Sequence, residues 1–199
     1  MNIYAEQEHI SNFIRQDKNF YESTALETVK NKVPLLNRTV LDIGANIGNH
    51  SVFFSDICGA KVLSFEPNVT NFSVLLRNCT GRNIIPFNTL VGNAGTYAQK
   101  IINESNMGSI SYGKSDSGEL AMPIDALGLY DVALIKIDVE GMEYDVLLGA
   151  IGTMGRCSPA IMVETEDNDS KTEKLLIELG YDITKLNCHS HTILAVKNI

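Results

Sequence analysis

The sequence predicts an α/β fold, a single domain over residues 1–199 with a mostly parallel sheet and helices on both faces. Three observations carry this. From residue 39 onward, short apolar runs of strand character alternate with segments of helical periodicity, the order that produces right-handed crossovers. The first run ends near an acidic residue and turns on two glycines into a helix, TVLDIGANIGNH (39–50). The last two runs, about 182–186 and 192–197, are too close together for a crossover helix, so they are antiparallel neighbours.

Each element has a local reason. Residues 1–36 read as an N-terminal helical segment, in which Thr24-Ala25-Leu26-Glu27 has the pattern of a capping box. The helix it opens must stop before Pro34. Residues 39–43 are an apolar strand interrupted only by Asp42. A helix over about 49–58 places Val52, Phe53 and Ile57 inward and ends at Gly59. KVLSF (61–65) is the second strand, closed by Glu66-Pro67, and the helix after it carries Val69, Phe72, Leu75, Leu76 and Cys79 as an apolar stripe. IIPFNTLV (84–91) is the third strand, with Pro86 better suited to its beginning than its middle.

The polar, Gly/Ser-rich stretch 92–119 reads as a hairpin-like excursion over the ligand edge of the sheet. VALIKID (132–138) is the fourth strand. Its helix begins near Gly141, with Met142, Val146, Ala150 and Ile151 inward. AIMVE (160–164) is the fifth strand. Ser170-Lys171-Thr172-Glu173 is a second capping box, and its helix ends at Gly180.

Composition narrows the function. With 199 residues, 44% apolar and 20% charged, the chain has globular composition and length enough for a substantial core. A net charge of −8 counts against a surface that tracks nucleic-acid phosphates. Cys58, Cys79, Cys157 and Cys188 have no paired spacing, and His189 and His191 beside Cys188 are too few for a closed zinc site. No signal-peptide pattern opens the sequence, and no apolar run reaches the ~18 residues that span a bilayer. A cytoplasmic location is the expectation.

Parallel sheets bind ligands beyond the carboxyl ends of their strands, where the winding reverses. That directs attention to Asp42 through His50, Glu66, Val91-Gly92, Asp138 and Glu164. A nicotinamide fingerprint needs glycine at 44, 46 and 49, but positions 46 and 49 are asparagine. A phosphate loop needs lysine and Ser/Thr after its last glycine, and there is none. S-adenosyl-L-methionine has other needs: a ribose diol, a zwitterionic methionine and a sulfonium. Glu66 can accept both ribose hydroxyls, and Asp42 can face the ammonium. The amides around Asn49 and His50 can take the carboxylate. The acidic balance suits a cationic cofactor. Taken alone, Gly44-Ala45-Asn46-Ile47-Gly48 is equally a plain strand–helix turn; the addition of Asp42 and Glu66 makes it specific.

Three blocks, VLDIGANIGNHS (40–51), FEP (65–67) and LIKIDVEGMEYDVLLGA (134–150), together resemble the FkbM family of methyltransferases. The last block is the most specific; the first two are shared by class I methyltransferases in general. The resemblance covers about residues 20–197. It implies a single-domain, Rossmann-like, seven-stranded mostly parallel sheet, S-adenosyl-L-methionine as cofactor, and methylation of a hydroxyl on a sugar, glycan or natural product. The chain is short for the family, and a separate substrate-binding segment is not expected. Cofactor contacts are expected from Asp42, Gly44, Ala45, Asn46, Gly48, Asn49, His50, Glu66, Pro67, Val91 and Asp138. Asn106-Met107-Gly108-Ser109 resembles a family stretch near the active site, though it also reads as a surface turn.

Period two along the fourth strand sets Leu134, Lys136 and Asp138 on one face. Lys136 is thus a cation inside a covered strand and needs a carboxylate, with Asp138, Asp42 or Glu140 in reach. Asp138 stands where an acceptor would meet the sulfonium. It is the first choice for a base that takes the acceptor's proton, ahead of His50 and Glu140. It can equally position the hydroxyl or touch the cofactor. A divalent ion held by Asp138, Glu164, Asp167 and Asn168 is a further option. Phe20-Tyr21-Glu22 reads as a lid or as packing. The acceptor expected is a small molecule or glycan. Ribose methylation of nucleic acid, or a non-catalytic cofactor-binding module, are the alternatives.

Overall fold

The computed structural model describes residues 9–102, 110–165, 170–188 and 190–197. Two N-terminal helices, α1 (His9–Asp17) and α2 (Ser23–Lys32), precede the first strand, β1 (Thr39–Ile43). A short helix α3 (Asn49–Val52) runs on as a π-helical turn over Phe53–Ile57, followed by β2 (Lys61–Phe65), α4 (Val69–Cys79) and β3 (Ile84–Phe87). The excursion holds β4 (Tyr97–Ile102), β5 (Ile110–Ser115) and β6 (Glu119–Leu120). The chain then returns through β7 (Val132–Ile137), α5 (Glu143–Leu148), α6 (Ile151–Cys157), β8 (Ala160–Glu164), α7 (Ser170–Glu178), β9 (Tyr181–Lys185) and β10 (Thr192–Lys197).

The main sheet has seven strands in the order β3-β2-β1-β7-β8-β10-β9. Neighbours from β3 to β8 are parallel, and β10 runs antiparallel to both β8 and β9. This is the Rossmann-like sheet expected, with its antiparallel last pair. The winding reverses between β1 and β7, which opens the ligand edge there. Alternation splits the core as the period-two reading requires. Val40, Val62 and Leu134 pack with Leu26, Val52 and Phe54 on one face. Leu41, Ile135, Ile137, Ile161 and Val163 pack with Val146 and Leu147 on the other.

Several local expectations give way to tertiary contacts. The capping box at Thr24 does not form: α2 starts at Ser23 after Glu22, which takes a left-handed φ of 57° and makes no side-chain cap. On α4, Leu75 and Cys79 are buried, while Val69 and Leu76 face outward at 71% and 53% exposure. The helix lies beside the edge strand β3, so only one side of the stripe meets the sheet. Ile57 and Ile151 are likewise more exposed than the inward reading requires. The third strand stops at Phe87, and Val91 forms only an isolated bridge with Met122. Pro86 sits inside β3, which its position at the sheet edge permits. The helix after β7 divides at Gly149-Ala150. A Cβ on Gly149 would lie 2.1 Å from the Gly92 carbonyl oxygen, so only glycine fits at that junction.

The excursion is a three-stranded antiparallel sheet ordered β5-β4-β6. It packs through Ala98 and Tyr112 against Leu90, Ala121 and Met142. Lys114 of β5 pairs with Asp145 of α5 at 2.7 Å and fastens the excursion to the domain. Asn106-Met107-Gly108-Ser109 lies outside the described residues.

Candidate active site

The glycine turn is shaped by contact as well as by torsion. Gly44 has φ 77°, and a Cβ there would lie 1.7 Å from the Asp138 carbonyl oxygen, so no side chain fits between the ends of β1 and β7. Gly48 (φ 91°) begins α3, and a Cβ on it would press on Leu75 at 2.8 Å. Between them Asn46 takes a left-handed φ of 49°. The amides of Gly44 and Ala45 donate to the Phe65 carbonyl at 3.0 and 2.9 Å, which ties the turn to β2.

Glu66 stands at the end of β2, buried, with both oxygens engaged. Its Oε2 accepts the Asn46 amide and its Oε1 the Asn68 amide, each at 2.8 Å. Burial pushes the Glu66 carboxyl above the ordinary value, opposed by those two amides. Asn68 also caps α4, its Oδ1 accepting from Thr70 and Asn71. Asn46 Oδ1 and Asn68 Nδ2 are buried and find no hydrogen-bond partner among the described residues. Each Glu66 oxygen keeps a second lone pair. This rim of unpaired donors and acceptors fits a ribose diol.

Asp42 lies deeper than the turn. It is sealed from solvent, accepts a short hydrogen bond from Ser51 Oγ, and lies 3.2 Å from Lys136 Nζ. Its carboxylate is held inside the sheet by Ser51 and Lys136. Lys136 also reaches Asp138 Oδ2 at 3.4 Å and donates to the Gly44 carbonyl at 2.9 Å. Burial disfavours the ammonium, but Asp42 and Asp138 outweigh it and hold its pKa above the usual lysine range.

Asn49 is turned to the N-terminal segment: its Oδ1 accepts the Tyr21 amide and its Nδ2 donates to the Tyr21 carbonyl, both at 3.1 Å. That brings Glu22 beside His50, with Oε2 3.4 Å from His50 Nε2. The other Glu22 oxygen accepts from Ser190 Oγ at 3.0 Å. Burial would raise the Glu22 carboxyl, yet its contacts with His50 and Ser190 and the charge of Lys136 outweigh this and lower it. Phe20-Tyr21-Glu22, read as a lid or as packing, therefore covers the start of α3 through Asn49 and His50. Nothing local in the sequence marks Ser190 as a site residue, and Glu22 was marked only as part of the stretch read as a lid or as packing; Asn68 had a signal as the residue before α4.

At the carboxyl ends of β7 and β8 a tight crevice, with no room for a water-sized sphere, brings together Glu22, His50, Lys136, Asp138 and Glu164, with Ile137, Met162 and Thr192. Burial, then the charges of Asp138 and Glu22, push Glu164 up to about 7. Glu140 is exposed, at a left-handed φ of 56°, and does not line the crevice. Val91 and Ala45 are buried in the frame, and Pro67 is half-buried beside Glu66. Asp167 and Asn168 lie outside the described residues. Among the described residues no three His, Cys, Asp or Glu side chains are placed to hold a metal ion.

A seven-stranded sheet with this order, its glycine turn after β1 and its acidic residue after β2, defines a Rossmann-like class I methyltransferase domain. The family model described as methyltransferase FkbM domain matches residues 42–183, and the chain belongs to that family. S-adenosyl-L-methionine is the cofactor of such a domain, and the Glu66 rim fits it. A methyltransferase FkbM from Methylobacillus flagellatus KT shares the fold at TM-score 0.56 and 16% identity, covering 96% of this chain and 61% of its own. The chain thus spans about three-fifths of that relative's length. Precorrin-6y C5,15-methyltransferase from Geobacter metallireducens GS-15 aligns at TM-score 0.56 and 16% identity, over 87% of each chain. Magnesium protoporphyrin IX methyltransferase from Synechocystis PCC 6803, solved with bound S-adenosylmethionine, aligns at 0.56 and 10% identity, over 98% of this chain and 86% of that one. No curated protein sequence matches the chain. Among the described residues no helix is long and apolar enough to cross a membrane.

Proposed function

We propose that this domain transfers a methyl group from S-adenosyl-L-methionine to a hydroxyl of a small molecule, sugar or glycan. The observation that carries the reading is Asp138 at the end of β7, beside the glycine turn, with its carboxylate held by Lys136. When bound, the cofactor supplies a methyl group on a positively charged sulfur. Glu66, Asn46 and Asn68 would hold its ribose. Asp138 is fixed in orientation and 31% exposed at its side chain, so it can accept a hydrogen bond from an acceptor hydroxyl. Holding that hydroxyl in line for displacement is worth up to ~7–11 kcal/mol of a barrier.

The crevice's charge favours a neutral acceptor. Glu22, Asp138 and Glu164 face one lysine there, an arrangement that repels a phosphodiester and speaks against nucleic-acid ribose. Incubation with methyl-labelled cofactor and a panel of sugars, glycolipids, polyols and RNA tests the reading. Label on a hydroxylated neutral acceptor is the expected result. Label on RNA alone, or on nothing while S-adenosylhomocysteine binds, would replace it with one of the two alternatives.

A further inference from the structure

We propose that the chain between the first two helices, residues 18–22, is a strap that closes over the ligand edge of the sheet, and that Asn49 and His50 are the positioning residues that fasten it. Exchange of the cofactor then requires the strap to lift. The inference rests on the methyl-transfer reading for its cofactor and not for its acceptor.

The fastening is made by particular atoms. Asn49 grips the backbone of Tyr21 at two points, its Oδ1 accepting the Tyr21 amide and its Nδ2 donating to the Tyr21 carbonyl, both at 3.1 Å. Asn49 is itself buried, so its amide has little water to turn to instead. Next along the strap, the Glu22 carboxylate lies between His50 and Ser190. Its Oε2 is 3.4 Å from His50 Nε2, and its Oε1 accepts from Ser190 Oγ at 3.0 Å. Phe20 sets its ring nearly perpendicular to that of Phe53, with 5.3 Å between centroids.

Backbone torsion marks the same segment. Lys18 ends α1 with a left-handed φ of 52°, for which the end of a helix is reason enough. Glu22 has a φ of 57° and makes no side-chain cap to α2. A non-glycine residue keeps that conformation only where its surroundings hold it, and here they are His50 and Ser190.

Packing on the two sides of the strap is unequal. Inward, Glu22 and His50 meet Lys136, Asp138 and Glu164 with no room for a water-sized sphere between them. That crevice lies at the ends of β7 and β8, beside the switch point where a sheet of this kind receives its ligand. Outward, the strap borders an open groove of about 590 Å³, lined among others by Asn19, Phe20, Ser23, Phe53 and Ile57. A group that approaches Lys136 and Asp138 past Glu22 has no space until the strap moves, and the space for that movement lies outward. Shut again, such a strap keeps water from the reacting groups.

S-adenosylhomocysteine tests the strap without any acceptor. Surface plasmon resonance on the full chain gives its association and dissociation rates. Asn49→Ala and Glu22→Ala unfasten the strap at different points, and each should speed both rates by about 10-fold, because each loses hydrogen bonds that favour the closed form. Loss of a simple cofactor contact would speed dissociation alone. Hydrogen exchange reads the strap itself. The Tyr21 amide should exchange faster in Glu22→Ala, where its bond to Asn49 is untouched, and more slowly in the wild type once S-adenosylhomocysteine is bound. Should either variant fail to fold, Phe20→Ala, which removes only the ring contact with Phe53, carries the same expectation with a smaller rise. Association rates equal to wild type in the folded variants overturn the strap, as does a Tyr21 amide indifferent to the cofactor. A wild type that binds no S-adenosylhomocysteine overturns the methyl-transfer reading and the strap with it. Rates that rise together in a chain that methylates no acceptor would uphold the strap and overturn the hydroxyl-methylation reading alone.

Discussion

Lys136 of β7 and Asp42 of β1 are opposite each other in register, and their side chains meet at 3.2 Å with essentially no access to solvent. The pair lies at the switch point of the sheet and carries Asp138 and the Gly44 carbonyl with it. It is structural at its buried end and presents a fixed carboxylate at its open end.

Asp42→Asn is therefore expected to destabilise the fold by ~3–5 kcal/mol, the usual cost of leaving a buried charge without its partner. Asp42→Asn combined with Lys136→Met should lose much less than the sum of the single changes, because no charge is stranded. Urea unfolding of the three variants measures this. A single variant as stable as wild type would show that the pair carries no weight.

Asp138→Asn should behave differently. Lys136 keeps Asp42 and the Gly44 carbonyl, so the stability loss should stay near ~0.5–1.5 kcal/mol, the scale of one hydrogen bond. Methyl transfer should drop by about 10²-fold, the cost of a misplaced reactant. Thermal melting and label transfer on one preparation separate the two effects. Unfolding at room temperature would mean that Lys136 depends on Asp138 after all.

At Glu66 the structure couples cofactor and fold. Glu66→Ala removes the acceptor of two amides. S-adenosylhomocysteine binding should weaken by roughly 1.5–3 kcal/mol, and stability should also fall by about 1–3 kcal/mol from unpaired backbone N–H groups. Calorimetry and denaturation read the two separately. Unchanged affinity would remove Glu66 from the ribose contact.

Stability against pH carries the mark of Glu164. Its carboxyl is raised from 4.5 to about 7, so the folded state holds the proton more tightly than the unfolded chain. The contribution is full below the unfolded value and is lost as pH rises through about 7. Glu22, lowered, acts in the opposite sense and below that window. Glu164→Gln should gain melting temperature relative to wild type on going from pH 5 to pH 8. No change in that difference would place Glu164 in the ordinary carboxylate range.

Much of this protein was legible in its sequence, for a local reason. Strands β1, β2 and β8 are short apolar runs whose patterns do not depend on their neighbours, and they form with the bounds the sequence predicts. Alternation along β7 also required a carboxylate for Lys136 and named Asp138, Asp42 or Glu140, of which the first two meet it. The glycines at 44 and 48, with two asparagines where other nucleotide sites need glycine, chose among ligands only together with Asp42 and Glu66.

What the sequence left open depends on distance in space. Glu22 and Ser190 lie 168 positions apart and meet only because α2 and β10 flank the same crevice. Glu22 is also the residue before α2, where the side chain that would cap the helix is engaged with Ser190 instead. Whether the α4 stripe is covered was decided by β3 being an edge strand. The division of labour between Asp42, Asp138 and Glu164 is of the same kind. All three are acidic residues at or near strand ends, and each acquires its role from the charge beside it: Asp42 from a sealed ammonium, Asp138 from the same ammonium at its open side, Glu164 from two carboxylates. Residue type and spacing determine which strands can form; only the packed sheet determines which charges face one another, because electrostatic interaction follows distance in space and access to water rather than order along the chain.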